Sequence, residues 1–143
     1  LAALAAAGSA PRGRQRLDPG VRVTTVVALP GGGAAAVLVK DVYTASLAAY
    51  DVGVGAQLWE RTFDQPITAL AADREQPILI AGVGYEGQLC ILSAETGQDL
   101  APSQTLKAVI NGLAVAQGRT VAAATQDGQL ALVRYLPEEG FDL

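Results

Sequence analysis

The residues able to do chemistry in this chain are few. There is no His among the 143 residues. That removes the usual general base at neutral pH, and with it any Ser-His-Asp triad, Cys-His dyad or His-ligated metal site built from this chain alone. The single Cys can form neither an internal disulfide nor a Cys-based zinc site. Cys90 lies in the apolar run Gln88-Leu89-Cys90-Ile91-Leu92. Burial there raises a thiol pKa, so the residue reads as a small core side chain rather than a nucleophile. Carboxylates are the remaining acid–base candidates. Asp41, Glu86 and Asp127 fall at comparable places between apolar runs. A ring of acids there could hold a cation or a basic partner. Asp also favours such turns for its local backbone hydrogen bonds, and that plainer reading is preferred.

Gly82-Val83-Gly84-Tyr85-Glu86-Gly87 matches the G-x-G-x-x-G spacing of a dinucleotide-binding turn. That turn must open a helix. Here Gln88–Leu92 instead resembles Gln129–Val133, which follows an ordinary Asp-Gly pair, so a hairpin is expected. Gly31-Gly32-Gly33 is followed by no phosphate-binding Lys. Trp59, ending an apolar run after Leu58, is expected to pack. Tyr43 and Tyr85 sit at turn positions and are the best exposed aromatics for an interface, although an ordinary surface position serves them equally well. With Glu86, Gln126 and Asp127 they make up the candidate interface set. Arg12, Arg14 and Arg16 read as a solvated linker.

The elements that must position these residues are short. From Val21 onward helical periodicity is absent, and apolar runs of strand length alternate with turn signals. The runs are Val23–Leu29, Ala35–Val39, Ser46–Tyr50, Ile67–Ala71, Ile78–Ala81, Gln88–Leu92, Gly112–Ala116, Thr120–Ala124 and Gln129–Tyr135. Glu86-Gly87 and Asp127-Gly128 between runs are hairpin signals, because Gly accepts the positive φ of a tight turn. Three segments repeat. Val23-Thr24-Thr25-Val26, Ile67-Thr68-Ala69-Leu70 and Ile110-Asn111-Gly112-Leu113 are spaced 44 and 43 residues apart. Ser46–Tyr50, Gln88–Leu92 and Gln129–Val133 occupy one place in the three repeats. A fourth run follows a Gly turn in two of them, at Gly55–Trp59 and Gly97–Ala101. The third repeat stops after Tyr135, where Pro137-Glu138-Glu139-Gly140 breaks it. Four short strands every ~40–45 residues is the unit of a propeller blade.

At Ile67–Val133 and at Glu95-Thr96-Gly97-Gln98-Asp99-Leu100 the sequence resembles the WD-repeat family. Tyr50–Trp59 looks more like a repeat of the related quinoprotein-like propellers. The family's Gly-His and Trp-Asp dipeptides are absent, and Ile91-Leu92 and Leu132-Val133 stand where Trp-Asp would be. The resemblance implies an all-β propeller segment of four-stranded antiparallel blades, at about 21–63, 64–106 and 107–136. Residues 1–20 precede it as the end of an Ala-rich helix, or of a signal-peptide apolar stretch, and a polar linker. Three blades make an open arc, while closed propellers have at least four. The chain also lacks Met. It is therefore expected to be part of a longer propeller, or to be completed by another chain.

The expected function is a non-catalytic scaffold for protein–protein interaction within a larger protein or complex, with no cofactor and a cytoplasmic location. The alternatives are part of a quinoprotein-like enzyme or a periplasmic propeller such as an outer-membrane assembly factor, and a structural subunit of a large assembly. A formal charge of −4 argues against a nucleic-acid footprint. No apolar stretch reaches the ~20 residues of a membrane-spanning helix.

Overall fold

The computed structural model describes residues 20–41, 44–116, 119–136 and 140–142. Among these there is no helix, and so none long and apolar enough to cross a membrane. Twelve strands form three separate four-stranded antiparallel sheets, each in simple chain order. The first holds β1 (Arg22–Leu29), β2 (Gly33–Val39), β3 (Ala45–Asp51) and β4 (Gln57–Phe63). The second holds β5 (Ile67–Ala72), β6 (Ile78–Val83), β7 (Gln88–Ser93) and β8 (Gln104–Thr105). The third holds β9 (Ile110–Ala116), β10 (Thr120–Thr125), β11 (Leu130–Leu136) and β12 (Gly140–Asp142).

The repeat is visible in backbone geometry as well as in sequence. Each sheet has a bulge in its first strand, where the register slips between Val23 and Thr25, between Ile67 and Ala69, and opposite Ala124/Thr125. The extra residues are Thr24, Thr68 and Asn111, all polar and again 44 and 43 positions apart. A bulge bends its strand and adds twist. The same device at the same place gives the three sheets the same local shape.

The sheets stack face to face. One core joins the first sheet (Ala35, Val37, Leu47, Phe63) to the near face of the second (Leu70, Leu79, Ala81, Cys90, Leu92). A second core joins the far face of that sheet (Ile78, Ile80, Leu89, Ile91) to the third (Ile110, Val121, Ala123, Val133, Tyr135). Because β6 and β7 are covered on both sides, they read as unbroken apolar runs rather than alternating ones. The sheets approach closely: a Cβ on Gly82 would lie 2.9 Å from the Cβ of Ile110. On the outward side of the first sheet Ala36, Leu38, Ala48 and Tyr50 are buried, with Val21 against them.

Three strand expectations need correction. In the second sheet the Gly97–Ala101 run makes only an isolated bridge, Leu92 to Asp99, and the paired fourth strand is Gln104–Thr105. Pro102 interrupts the edge because it has no N–H to donate. In the third sheet pairing resumes beyond Pro137. β12 pairs Phe141 with Tyr135 and Gly140 with Leu136. Its opening Gly140 takes φ 100, a backbone state that Gly reaches without steric cost. In the first sheet the fourth strand starts at Gln57 and runs on to Phe63, past the Trp59 where the apolar pattern ends. There Arg61 and Phe63 continue the face that Trp59 begins, and Arg61 stacks over Phe63 at 4.6 Å.

Candidate functional site

The turns joining the second and third strands of each sheet carry the expected interface residues. Between β6 and β7 lies Gly84-Tyr85-Glu86-Gly87, flanked by strands on both sides, so the G-x-G-x-x-G spacing builds a hairpin and opens no helix. Gly87 has φ 72, and a Cβ there would meet the Ala108 carbonyl oxygen at 1.8 Å. The requirement for Gly at this point is therefore both conformational and steric.

Neighbouring connections hold that hairpin from both sides. The Gly84 N–H donates to the Pro66 carbonyl at 2.8 Å, and the Leu106 N–H donates to the Gly87 carbonyl at 2.9 Å. The next hairpin is tied to the same connection, since the Gln126 N–H donates to the Val109 carbonyl at 2.8 Å. Tyr85 and Glu86 are thus linked to Gln126 and Asp127 through residues 106–109. All four side chains are exposed, Tyr85 at 72%. Tyr43 lies outside the described residues.

The acids behave largely as turn residues. The Thr125 hydroxyl donates to the Asp127 carboxylate and accepts the Gln129 N–H at 3.2 Å. The Thr44 N–H donates to Asp41 at 2.9 Å. These bonds fix the loops locally, as side chains of this type do. No group of three or more Asp, Glu or Cys residues placed to hold a metal ion occurs among the described residues.

Several features of the inter-sheet contacts were not evident in the sequence. The Trp59 indole N–H donates to the Ala94 carbonyl at 2.9 Å, and the ring covers Gly97, where a Cβ would lie 2.5 Å from it. Arg61 bonds Asp99 at 2.9 Å and the Gly97 carbonyl at 3.1 Å. The first sheet therefore grips the β7–β8 corner of the second. Trp59 packs as expected; the Arg61–Asp99 pair spans 38 positions and leaves no local signal. Between the second and third sheets the buried Tyr135 hydroxyl donates to the Asp73 carboxylate. Burial opposes charging of Asp73, but bonds from Tyr135 and from the N–H groups of Glu75 and Gln76, with Arg119 nearby, outweigh it and hold the carboxyl below its usual range. Burial first, then Asp73, pushes the Tyr135 phenol up. A cleft of about 630 Å³, lined by Asp73–Gln76, Val115, Ala116 and Arg119, opens beside this bond. It lies at the β5–β6 turn, away from the Tyr85 hairpin. Cys90 is buried, and desolvation, with Asp99 adding to it, pushes its thiol up to about 11. A thiol so placed stays protonated at neutral pH.

Three stacked four-stranded sheets, each entered by its innermost strand, make a fan about one axis. The chain is similar in structure to the solved β-propeller domain of Cps50 (Swd1) from Myceliophteria thermophila, with a TM-score of 0.59 at 20% identity. The fold is that of a β-propeller. The match covers 78% of this chain and 35% of that one, so the chain spans about a third of the length of the propeller it resembles. No protein-family model and no curated protein matches the sequence. The three propeller blades are the three sheets, with β1, β5 and β9 innermost.

Proposed function

We propose that this propeller segment is a non-catalytic scaffold that mediates protein–protein interaction within a larger protein or complex, in a cytoplasmic setting. The observation that carries the reading is the Tyr85 hairpin. A 72% exposed aromatic stands on a turn whose backbone is bonded to the connections on either side. A side chain held out on a rigid base loses little entropy on binding, and Tyr is enriched among residues that dominate interfaces. Loops on a rigid frame are where such folds carry function. Glu86 beside it, and Gln126 and Asp127 on the hairpin tied to the same connection, add exposed acidic and amide groups, which suits a partner offering N–H donors or basic side chains.

The test compares the wild-type chain with the variant Tyr85→Ala/Glu86→Lys, both used to capture partners from the source cell, followed by titration of the purified partner. The reading expects the partner's affinity to fall about tenfold or more with an unchanged melting midpoint, as for an interface anchor. Equal affinity for the two proteins would remove this hairpin from the interface.

A further inference from the structure

The two end sheets of the stack differ on their outward sides. In the third, Leu130 and Leu132 are 69% and 67% exposed, as on a sheet face with nothing lying on it. In the first, two rows of paired residues cross the outward side. One row is Val26, Ala36, Ala48 and Glu60, and the other is Val23, Leu38, Ser46 and Thr62. The members on the central strands β2 and β3 are buried: Ala36, Leu38, Ser46, Ala48 and, beyond them, Tyr50 are at most 6% exposed. The members on the flanking strands are open. Val26 is 61% and Val23 49% exposed, and Glu60 and Thr62 are exposed as well. Cover therefore lies over β2 and β3 and stops at both flanks. Strands are about 4.8 Å apart, so the covered strip is about 10 Å wide, which is the diameter of one α-helix and much less than the width of a four-stranded sheet.

The apolar side chain packed on this strip among the described residues is Val21, too small to shield five residues. Residues 1–19, 42–43, 117–118, 137–139 and 143 lie outside the described set. Of these only 1–19 is long enough to lie along the strip, which runs from Ala34 to Leu38 on β2, about 13 Å at strand rise. The chain also passes from the strip into that segment: Val21 packs on the strip, and Gly20, at φ 85, turns the backbone next to it. The segment opens Leu1-Ala2-Ala3-Leu4-Ala5-Ala6-Ala7, the residue types that favour a helix most, with the two Leu three positions apart and so on one side of such a helix. Ten helical residues span about 15 Å, which matches the strip. Its floor is the Ala36–Ala48 pair, between the larger Leu38 and Tyr50, and small residues on both partners permit a close approach.

We propose that the outward strip of β2 and β3 is the docking site of the chain's own N-terminal segment, residues 1–19, whose Leu1–Ala10 stretch caps the first sheet. The burial of two central strands between two open ones carries the assignment, because a further sheet would cover all four. The inference is independent of the Tyr85 hairpin.

The test uses the full chain throughout. Ala48→Cys reports on the strip and Val26→Cys on its open flank, while Cys90, buried and protonated, stays silent as long as the sheets are folded. A water-soluble maleimide labels Ala48→Cys about tenfold or more slowly than Val26→Cys, as for a site protected by docking. Adding Leu1→Asp/Leu4→Asp, whose unpaired carboxylates cannot be buried on an apolar strip, brings Ala48→Cys to the rate of Val26→Cys and leaves Cys90 silent. Fast labelling of Ala48→Cys without the two Asp overturns the proposal, and so does slow labelling that persists with them. Protection that is lost on dilution also overturns it, since the occupant is then a second copy. Should the Asp variant expose Cys90, the unaltered chain decides. Nuclear Overhauser contacts within one molecule, from the Tyr50 ring to methyl groups of Leu1–Ala10 in a mixed-isotope sample, are the expected result, and their absence overturns the docking.

Discussion

At the scale of single residues, the bond between the Tyr135 hydroxyl and Asp73 gives the clearest chemical consequence. It ties the loop after β5 to the core of the next blade. A hydrogen bond to a charged acceptor contributes about 1.5–3 kcal/mol, reduced here because Asp73 is only partly buried. Tyr135→Phe is therefore expected to cost about 1–2 kcal/mol in urea unfolding at pH 7. The sign of the pH dependence follows from the two shifts. Asp73 is depressed, so its contribution is present at neutrality and is lost as the pH falls below about 4. Tyr135 is raised, so its contribution is complete below about pH 10 and is lost above it. Unfolding curves of wild type and Tyr135→Phe should converge at both extremes; a constant gap from pH 3 to 11 would show that the loss is one of packing. Gly97→Ala is the other sensitive point. Gly97 has φ 78 and lies under the Trp59 ring, so an added methyl group meets both backbone strain and a clash. A loss of about 2 kcal/mol or more is expected from thermal unfolding.

At the scale of elements, the third strands of the second and third blades, β7 and β11, make a matched pair of experiments. Ile91→Ala removes a fully buried side chain from the core between blades and should cost about 2–5 kcal/mol. Leu132→Ala, at the equivalent position, should change stability by less than about 0.5 kcal/mol, because that side chain is already in water. Denaturant midpoints measure both, and equal losses would contradict the burial of Ile91 and the exposure of Leu132. The same contrast shows what the sequence could disclose. Gln88–Leu92 and Gln129–Val133 look alike as sequence, and each is correctly read as the third strand of a blade. Nothing local says that one is covered on both sides and the other on one. Edge strands were least legible. β8 and β12 pair over two or three residues, and their places are decided by Pro102 and Gly140 and by what the neighbouring strand still has to offer. The hairpin with Tyr85 and Glu86 was legible from its Gly residues and its repeat. The bonds that hold it to Pro66 and Leu106 join residues distant in sequence, and so was the partnership of Asp73 with Tyr135 invisible for the same reason.

At the scale of the whole molecule, stability comes from stacking. A single blade would leave both its apolar faces in water, and each interface here buries a cluster of branched side chains on both partners. A repeat of 43 or 44 residues encodes a unit that is complete in hydrogen bonding but incomplete in burial. The most direct check is a nuclear Overhauser map of the 143-residue chain. Proton contacts from Gly82 to Ile110 and from the Trp59 ring to Gly97, together with antiparallel ladders confined within each repeat, are the predicted result. Helical contacts after Ile78, or strand ladders running between repeats without those two inter-blade contacts, would contradict a stack of propeller blades.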